Sequence, residues 1–339
     1  MKFLITGGAG FIGINAAEYF LSKGDNVILF DNLSRDKTEH NLEWIKKKFP
    51  RVEFEKGDVR TDTDKLLELV SKVDVVIHLA AQVAVTTSVT NPSLDFETNA
   101  RGAFNVLEAI RLSPNRPIAI YSSTNKVYGN LEYLKIKEKN GKYQYETLKE
   151  GVDESTNLDF HSPYGCSKGC ADQYFIDYAR IYGLKTIVFR QSCIYGYRQF
   201  GVEDQGWIAW FIIATTLGKN LTIYGDGKQV RDVLFITDLV KAYDLAIQNI
   251  DKTAGQVFNI GGGFENQLSL LELINHLEEL RGKKINFKFS DWRPGDQKVF
   301  LCNISKAKKT FGWTPKTSKK EGVRKLFEWV NENKELFNN

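Results

Sequence analysis

Tyr164 and Lys168 stand four residues apart in S-P-Y-G-C-S-K, so on a helix one turn stacks them on the same face. A tyrosine is a poor base at its ordinary pKa of about 10, but a neighbouring ammonium favours the phenolate and brings the pair within reach of proton transfer. The spacing alone also arises as a surface pair in a chain with 14 tyrosines. It gains weight from Ser122-Ser123-Thr124, which closes the apolar run Ile118–Tyr121 with three hydroxyls. A hydroxyl there can hold a substrate alcohol while the tyrosine takes its proton. The third constellation is K-F-L-I-T-G-G-A-G-F-I-G at the start of the chain, an apolar run followed by Gly7, Gly10 and Gly13 and then an amphipathic segment. Strand, glycine turn and helix start make a dinucleotide pyrophosphate site, because glycine lets backbone N–H groups approach the phosphates and the helix N-terminus adds partial positive charge. The same pattern serves as an ordinary tight turn. Asp31, closing a second apolar run at Val27–Phe30, is placed where a carboxylate binds the adenosine ribose hydroxyls. An oxidised nicotinamide beside Tyr164 would lower its pKa further.

The elements that must position these residues alternate. Strands are predicted at Lys2–Thr6, Val27–Phe30, Val52–Glu55, Val73–Leu79 and Ile118–Tyr121, with helices near Phe11–Ser22, Thr38–Lys48, Asp64–Val70 and Pro92–Leu112. That order predicts an α/β fold: a Rossmann-type doubly wound parallel sheet whose ligands sit at the strand C-termini. Asp58-Val59 follows the third strand, placed to meet an adenine edge or to serve as a simple turn aspartate. Residues 131–154 turn polar and read as an excursion with a hairpin at Asn140-Gly141. A helix at Tyr164–Tyr182 and a strand at Thr186–Phe189 follow, then loops from Gln191 to Asp232. Helix Thr237–Ile250 and strand Val257–Ile260 return to the sheet, and Leu268–Leu280, Asn286–Phe289 and Lys319–Asn333 form a smaller C-terminal α+β lobe. The expected division is a dinucleotide-binding domain at 1–190, completed by about 234–262, with 191–233 and 263–339 as the substrate lobe.

Bulk properties exclude several classes. The chain has 339 residues, 46 basic and 42 acidic, and its net charge of +4 is spread along it. The longest basic run, Lys46–Lys48, falls in a helix expected to be solvated, so no nucleic-acid partner is implied. Cys166, Cys170, Cys193 and Cys302 include no C-x-x-C pair and no metal-ligand spacing, which points to reduced thiols in the cytoplasm and to no metal. The apolar start runs straight into the glycine turn and no apolar run reaches membrane-spanning length, so a soluble protein without a membrane partner is expected.

Thr6–Gly13, Asp31, Asn99, Ser122–Thr124 and Tyr164/Lys168 together resemble the extended short-chain dehydrogenase/reductase family, in its nucleotide-sugar branch. V-Y-G at Val127–Gly129, R-D-V at Arg231–Val233 and F-N-I-G-G at Phe258–Gly262 belong to the same likeness. Y-S-S-T-N-K-V-Y-G at 121–129, L-D-F-H-S-P-Y-G-C-S-K-G at 158–169, R-Q-F at 198–200 and D-Q-G-W at 204–207 narrow it to the CDP-hexose 2-epimerases of that branch.

The resemblance implies a bound NAD, used and regenerated in each turnover. Its residues would be Gly7, Ala9, Gly10, Phe11, Ile12 and Gly13, then Asp31, Asn32, Ser34, Arg35, Asp58 and Val59. Leu79, Ala80, Ala81, Gln82, Asn99, Ser122, Ser123, Tyr164 and Lys168 would complete the set. Tyr164 would deprotonate the sugar C2 hydroxyl while Thr124 holds it, and hydride would leave C2 and return to the opposite face after the 2-keto sugar turns over. Lys168 would hold the nicotinamide ribose. Asp31 disfavours a 2′-phosphate and so NADP, although nearby Arg35 argues the other way. Arg231 and Arg293, expected in loops, offer guanidinium forks to two phosphates of the nucleotide sugar, or else are surface ion pairs. Gln199, Gln205 and Trp207 are expected at the sugar or base, though Trp207 and Phe211 at helical spacing also suit a core. Cys193 replaces an asparagine common among the epimerases. A 4,6-dehydratase of the family needs Asp-Glu straight after the threonine, where this chain has Asn125-Lys126. A non-catalytic relative that only binds NAD usually loses Tyr or Lys, and both are present. Other CDP- or UDP-hexose epimerases remain alternatives, and a homodimer or homotetramer through first-lobe helices is implied.

Overall fold

The computed structural model describes residues 1–293 and 296–337. The chain opens with β1 (Lys2–Thr6), α1 (Phe11–Ser22), β2 (Asn26–Asp31), α2 (Thr38–Lys48), β3 (Glu53–Lys56), α3 (Thr63–Val70) and β4 (Val75–His78). Then come α4 (Val85–Thr90), α5 (Pro92–Phe96), a π-helical turn at Glu97–Arg101, α6 (Gly102–Leu112) and β5 (Ile118–Thr124). These strands, joined later by β8 (Thr186–Gln191) and β12 (Gln256–Ile260), make a seven-stranded parallel sheet in the order β12-β8-β5-β4-β1-β2-β3. The apolar runs form its centre because both faces are covered: β4 is buried along its whole length, and two apolar clusters lie on opposite sides. The order reverses between β1 and β4, and the crevice expected at such a reversal opens beyond their C-termini.

The polar excursion folds as the hairpin β6 (Ile136–Lys139) and β7 (Lys142–Tyr145). Its turn has positive φ at both Asn140 and Gly141, the conformation that the Asn-Gly pair suits. Helix α7 (Ser162–Tyr182) follows, with Cys166 and Cys170 on it as reduced thiols.

Residues 191–232 are the main departure from expectation. In place of loops they hold β9 (Cys193–Tyr195), α8 (Trp207–Thr216), β10 (Leu221–Tyr224) and the first half of β11 (Val230–Phe235). Helix α8 reads W-I-A-W-F-I-I-A-T-T and is buried nearly all round, so no polar face marks its period. Arg231, expected in a loop, lies on β11 between β13 (Gln267–Ser269) and β15 (Val299–Phe300). The remainder is α9 (Ile236–Gln248), the short α10 (Ile250–Thr253), α11 (Leu270–Arg281), β14 (Phe287–Ser290), α12 (Ser305–Phe311) and α13 (Lys319–Glu332). Residues from α1, α8, α9, α11 and α13 share one apolar cluster, so the two lobes are continuous through their packing. Among the described residues no helix is long and apolar enough to cross a membrane, and no group of His, Cys, Asp and Glu is placed to hold a metal.

Candidate active site

The turn after β1 is built as a cradle. Gly7 sits at φ +68° and donates its N–H to Phe30 O at 2.8 Å, and a Cβ added to it would lie 2.7 Å from Ala80 N. A Cβ on Gly13 would lie 2.4 Å from Gly7 O. Only hydrogen fits at either place. Asp31, at the end of β2, accepts the Ala9 N–H at 3.0 Å and the Leu33 N–H at 2.8 Å. Burial raises its proton affinity, and these backbone donors oppose the rise.

A cavity of about 310 Å³ opens beside this turn. Gly7, Gly10, Phe11, Ile12, Gly13, Asp31, Asn32, Ser34 and Arg35 line one end, with Asp58 and Val59. Leu79–Ala81, Ser122–Thr124, Tyr164 and Lys168 line the other. The groups present fit a dinucleotide: a glycine turn at the start of α1, a carboxylate one strand away, and an elongated trough along the strand ends. Arg60 and Asn32 already bind the Asp58 carboxylate, and Arg60 above all holds its pKa down at about 2.

Three expected cofactor contacts are placed elsewhere. Ala9 is fully buried and its N–H is committed to Asp31, so it shapes the turn without lining the cavity. Gln82 and Asn99 also stay outside the lining. Asn99 sits in the π-helical turn, where it accepts the Gln82 N–H at 2.9 Å and donates to Gln82 O at 3.0 Å. The two close on each other because the π turn rotates Asn99 inward, to an exposure of 2%.

Tyr164 and Lys168 share one face of α7, as the spacing requires. The Lys168 ammonium donates to Ser122 O at 2.6 Å and lies 4.4 Å from the centre of the Tyr121 ring. Thr124 and the Tyr164 phenol line the same cavity, and Thr124 favours the phenolate. The proton affinities of Tyr164 and Lys168 move apart: burial pushes the phenol up to about 12 although Thr124 opposes the rise, and burial pulls the ammonium down to about 7. Desolvation, not the neighbouring lysine, sets the direction of the tyrosine's shift, contrary to the expectation from spacing alone.

Thr124 and Tyr164 also line a second cavity of about 300 Å³, with Lys126, Cys193, Gln199, Gln205, Trp207, Arg293 and Asp296. The pair thus stands at the junction of two cavities. Arg293 stacks on Tyr224 at 3.8 Å and pairs with Asp204 at 2.9 Å. Arg231 lines neither cavity, because its guanidinium turns to Val230 O at 2.9 Å and reaches Asp296 only at 4.0 Å. Cys193 presents a half-buried thiol whose pKa desolvation raises. Arg35, at the adenosine end of the first cavity, donates to Gln205, which lines both. Val83, ahead of the short, uncapped α4, and Thr86, on it, also line the wall, and nothing in the sequence singled them out.

Comparison with known proteins agrees with this site. The model of the GDP-mannose 4,6 dehydratase family matches residues 4–326. CDP-paratose 2-epimerase of Salmonella typhi is 48% identical over 98% of this chain and 99% of its own length. The crystal structure of UDP-glucose 4-epimerase from Thermotoga maritima with UDP-glucose superposes with a TM-score of 0.84 at 32% identity, covering 98% of this chain and 99% of the other. That of UDP-glucuronic acid 4-epimerase from Bacillus cereus, in complex with UDP-glucuronic acid and NAD, gives 0.84 at 27% identity and covers 98% and 99%. The glycine cradle, the Tyr164/Lys168 pair and a family match over nearly the whole length lead to one conclusion: this chain belongs to the GDP-mannose 4,6 dehydratase family of extended short-chain dehydrogenases/reductases.

Proposed function

We propose that the chain is an NAD-dependent nucleotide-sugar epimerase that inverts C2 of a CDP-hexose, interconverting CDP-paratose and CDP-tyvelose. The observation that carries this reading is the placing of Thr124 and Tyr164 together at the junction of the two cavities, one fitted to a dinucleotide and one open to a sugar. The chemistry NAD supplies when bound is reversible acceptance of a hydride. Thr124 orients the C2 hydroxyl. Tyr164 takes its proton and later gives it back, helped by the positive charge of Lys168 on the same helix face. A phenol held near 12 needs such charge beside it to act at neutral pH. Asn125 and Lys126 stand where a dehydratase carries an Asp-Glu pair, so the carboxylates that elimination of water uses are missing there. CDP is favoured by the Salmonella typhi relative. A homodimer is favoured by exposed Phe104, Leu112, Tyr174 and Ile181 on α6 and α7; light scattering of the purified protein measures it.

Isotope tracing tests the reaction. CDP-paratose deuterated at C2 should keep its label in the epimer, and product formed in D₂O should carry none there. Substantial solvent deuterium at C2 after one turnover would mean inversion by C–H deprotonation and would end this reading.

A further inference from the structure

Asp95, on α5, is fully buried at an exposure of 0% and none of the steps above uses it. Its carboxylate accepts from Ser167 Oγ at 2.5 Å, from Gln82 Nε2 at 2.8 Å and from Asn99 Nδ2 at 3.1 Å. All three partners donate, the pattern an ionised carboxylate calls for. Two of them are Gln82 and Asn99, which stay outside the lining of the first cavity. The third, Ser167, lies between Tyr164 and Lys168 in sequence, and its Oγ is also 3.2 Å from Tyr164 O. Gln82 in turn holds Ala84 through its N–H at 2.6 Å and its carbonyl at 2.9 Å, just after Val83 on the wall of both cavities. One carboxylate therefore joins the loop after β4 to the helix that carries the acid–base pair.

Its electrostatic setting is as distinctive as its hydrogen bonds. The other carboxylate beneath this pair, Asp172 on α7, is bound by the Arg190 guanidinium at 2.9 and 3.0 Å and by Ser123. Among the described residues no salt bridge reaches Asp95; its charge acts on Lys168 together with that of Asp172. The Asp95 charge raises the proton affinity of both Tyr164 and Lys168. The remaining groups facing the pair are Asp172, Tyr121 on β5 and His78 on β4.

We infer that Asp95 is a positioning residue for the epimerisation: it fixes the Tyr164 turn of α7 against the cavity wall through Ser167, Asn99 and Gln82, and its charge sets the pH range in which the pair works. This rests on Tyr164 and Lys168 being the acid–base pair.

Asp95→Asn keeps the shape and removes the charge. Its kcat should fall about tenfold or more, with KM for the CDP-hexose and the bound NAD content within about twofold of wild type. Both limbs of its pH–rate profile should move to lower pH by about half a unit or more, the effect of one unit charge lost at this range. A purely structural role would lower kcat and leave both limbs in place; that result, or a kcat within twofold of wild type, overturns the assignment. Asp95→Glu, which keeps the charge but displaces it, should lower kcat while moving the limbs less than Asp95→Asn does, and a shift as large as that of Asp95→Asn would refute the electrostatic role. Tyr164→Phe is run alongside. If it stays active, the underlying reading of the pair has failed; if it is inactive while Asp95→Asn behaves as wild type, only the role of Asp95 has.

Discussion

At the scale of single residues, the site separates groups that meet reactants from groups that hold them. Removing the phenol in Tyr164→Phe should cut turnover by about 10²–10⁴, the usual worth of general acid–base catalysis, and leave nucleotide binding and NAD content nearly unchanged. Single-turnover rates with equilibrium dialysis of CDP check it; near-wild-type turnover would remove Tyr164 from the role. His78 has a different fate. It is buried on β4, Thr6 Oγ1 lies 2.7 Å from its Nδ1, and burial above all, with Lys168 behind it, holds its pKa down at about 3. An unfolded histidine titrates near 6.5, so below that pH the unfolded chain binds a proton the folded one refuses. Stability is full above about pH 6.5 and falls with a slope approaching about 1.4 kcal/mol per pH unit as the solution is acidified toward 3. Urea unfolding at pH 7.5 and 5.5 should show His78→Asn losing about 1 kcal/mol less than wild type across that interval. Equal losses would mean that other groups dominate the acid limb.

The elements explain what could be read from the sequence and what could not. Strands β1, β2, β4 and β5 were legible because each is a short apolar run closed by turn chemistry, and helix α2 because its period alternates cleanly. Tyr164, Lys168 and the glycines were legible for the same reason: their chemistry is local, written in the spacing of neighbours. Helix α8 was not, since a helix apolar on every side carries no phase. The break of the expected Pro92–Leu112 helix was hidden as well. A π turn depends on what packs against it, here Gly102 against Val59, where a Cβ would come within 2.6 Å of Cγ2. The orientation of Asn99, and the burial of Asp95 beneath the acid–base pair, follow from that turn. Long-range polar contacts such as Arg231 with Asp296 leave no local mark either. The cradle gives the test at this scale. Gly13→Ala drives a methyl against the Gly7 carbonyl, so the turn must open, and NAD should be lost on purification at a stability cost of about 1–3 kcal/mol. Denaturing the purified variant and assaying the released nucleotide decides it; full NAD content would show that the turn absorbs the methyl.

Across the whole molecule, α1, α8, α9, α11 and α13 share one core, and polar contacts join segments outside it. Arg35 reaching to Gln205 is one of them, spanning from the rim of the first cavity to the segment ahead of α8. Arg35→Ala should leave the fold intact but shorten the residence of NAD, measured as nucleotide retained after extensive dialysis; retention equal to wild type would deny the contact that role.

That contact has a consequence for how the protein sits in its surroundings. A hydride lent and returned within one visit leaves no net oxidation, so the reaction draws on neither pool of free nicotinamide nucleotide. A cleft tied across its mouth makes that independence kinetic as well as chemical: the resident NAD is screened from the ratio of oxidised to reduced nucleotide outside. Epimerisation by the wild type should hold constant as free NADH is raised over NAD, whereas Arg35→Ala, exchanging freely, should slow as that ratio climbs.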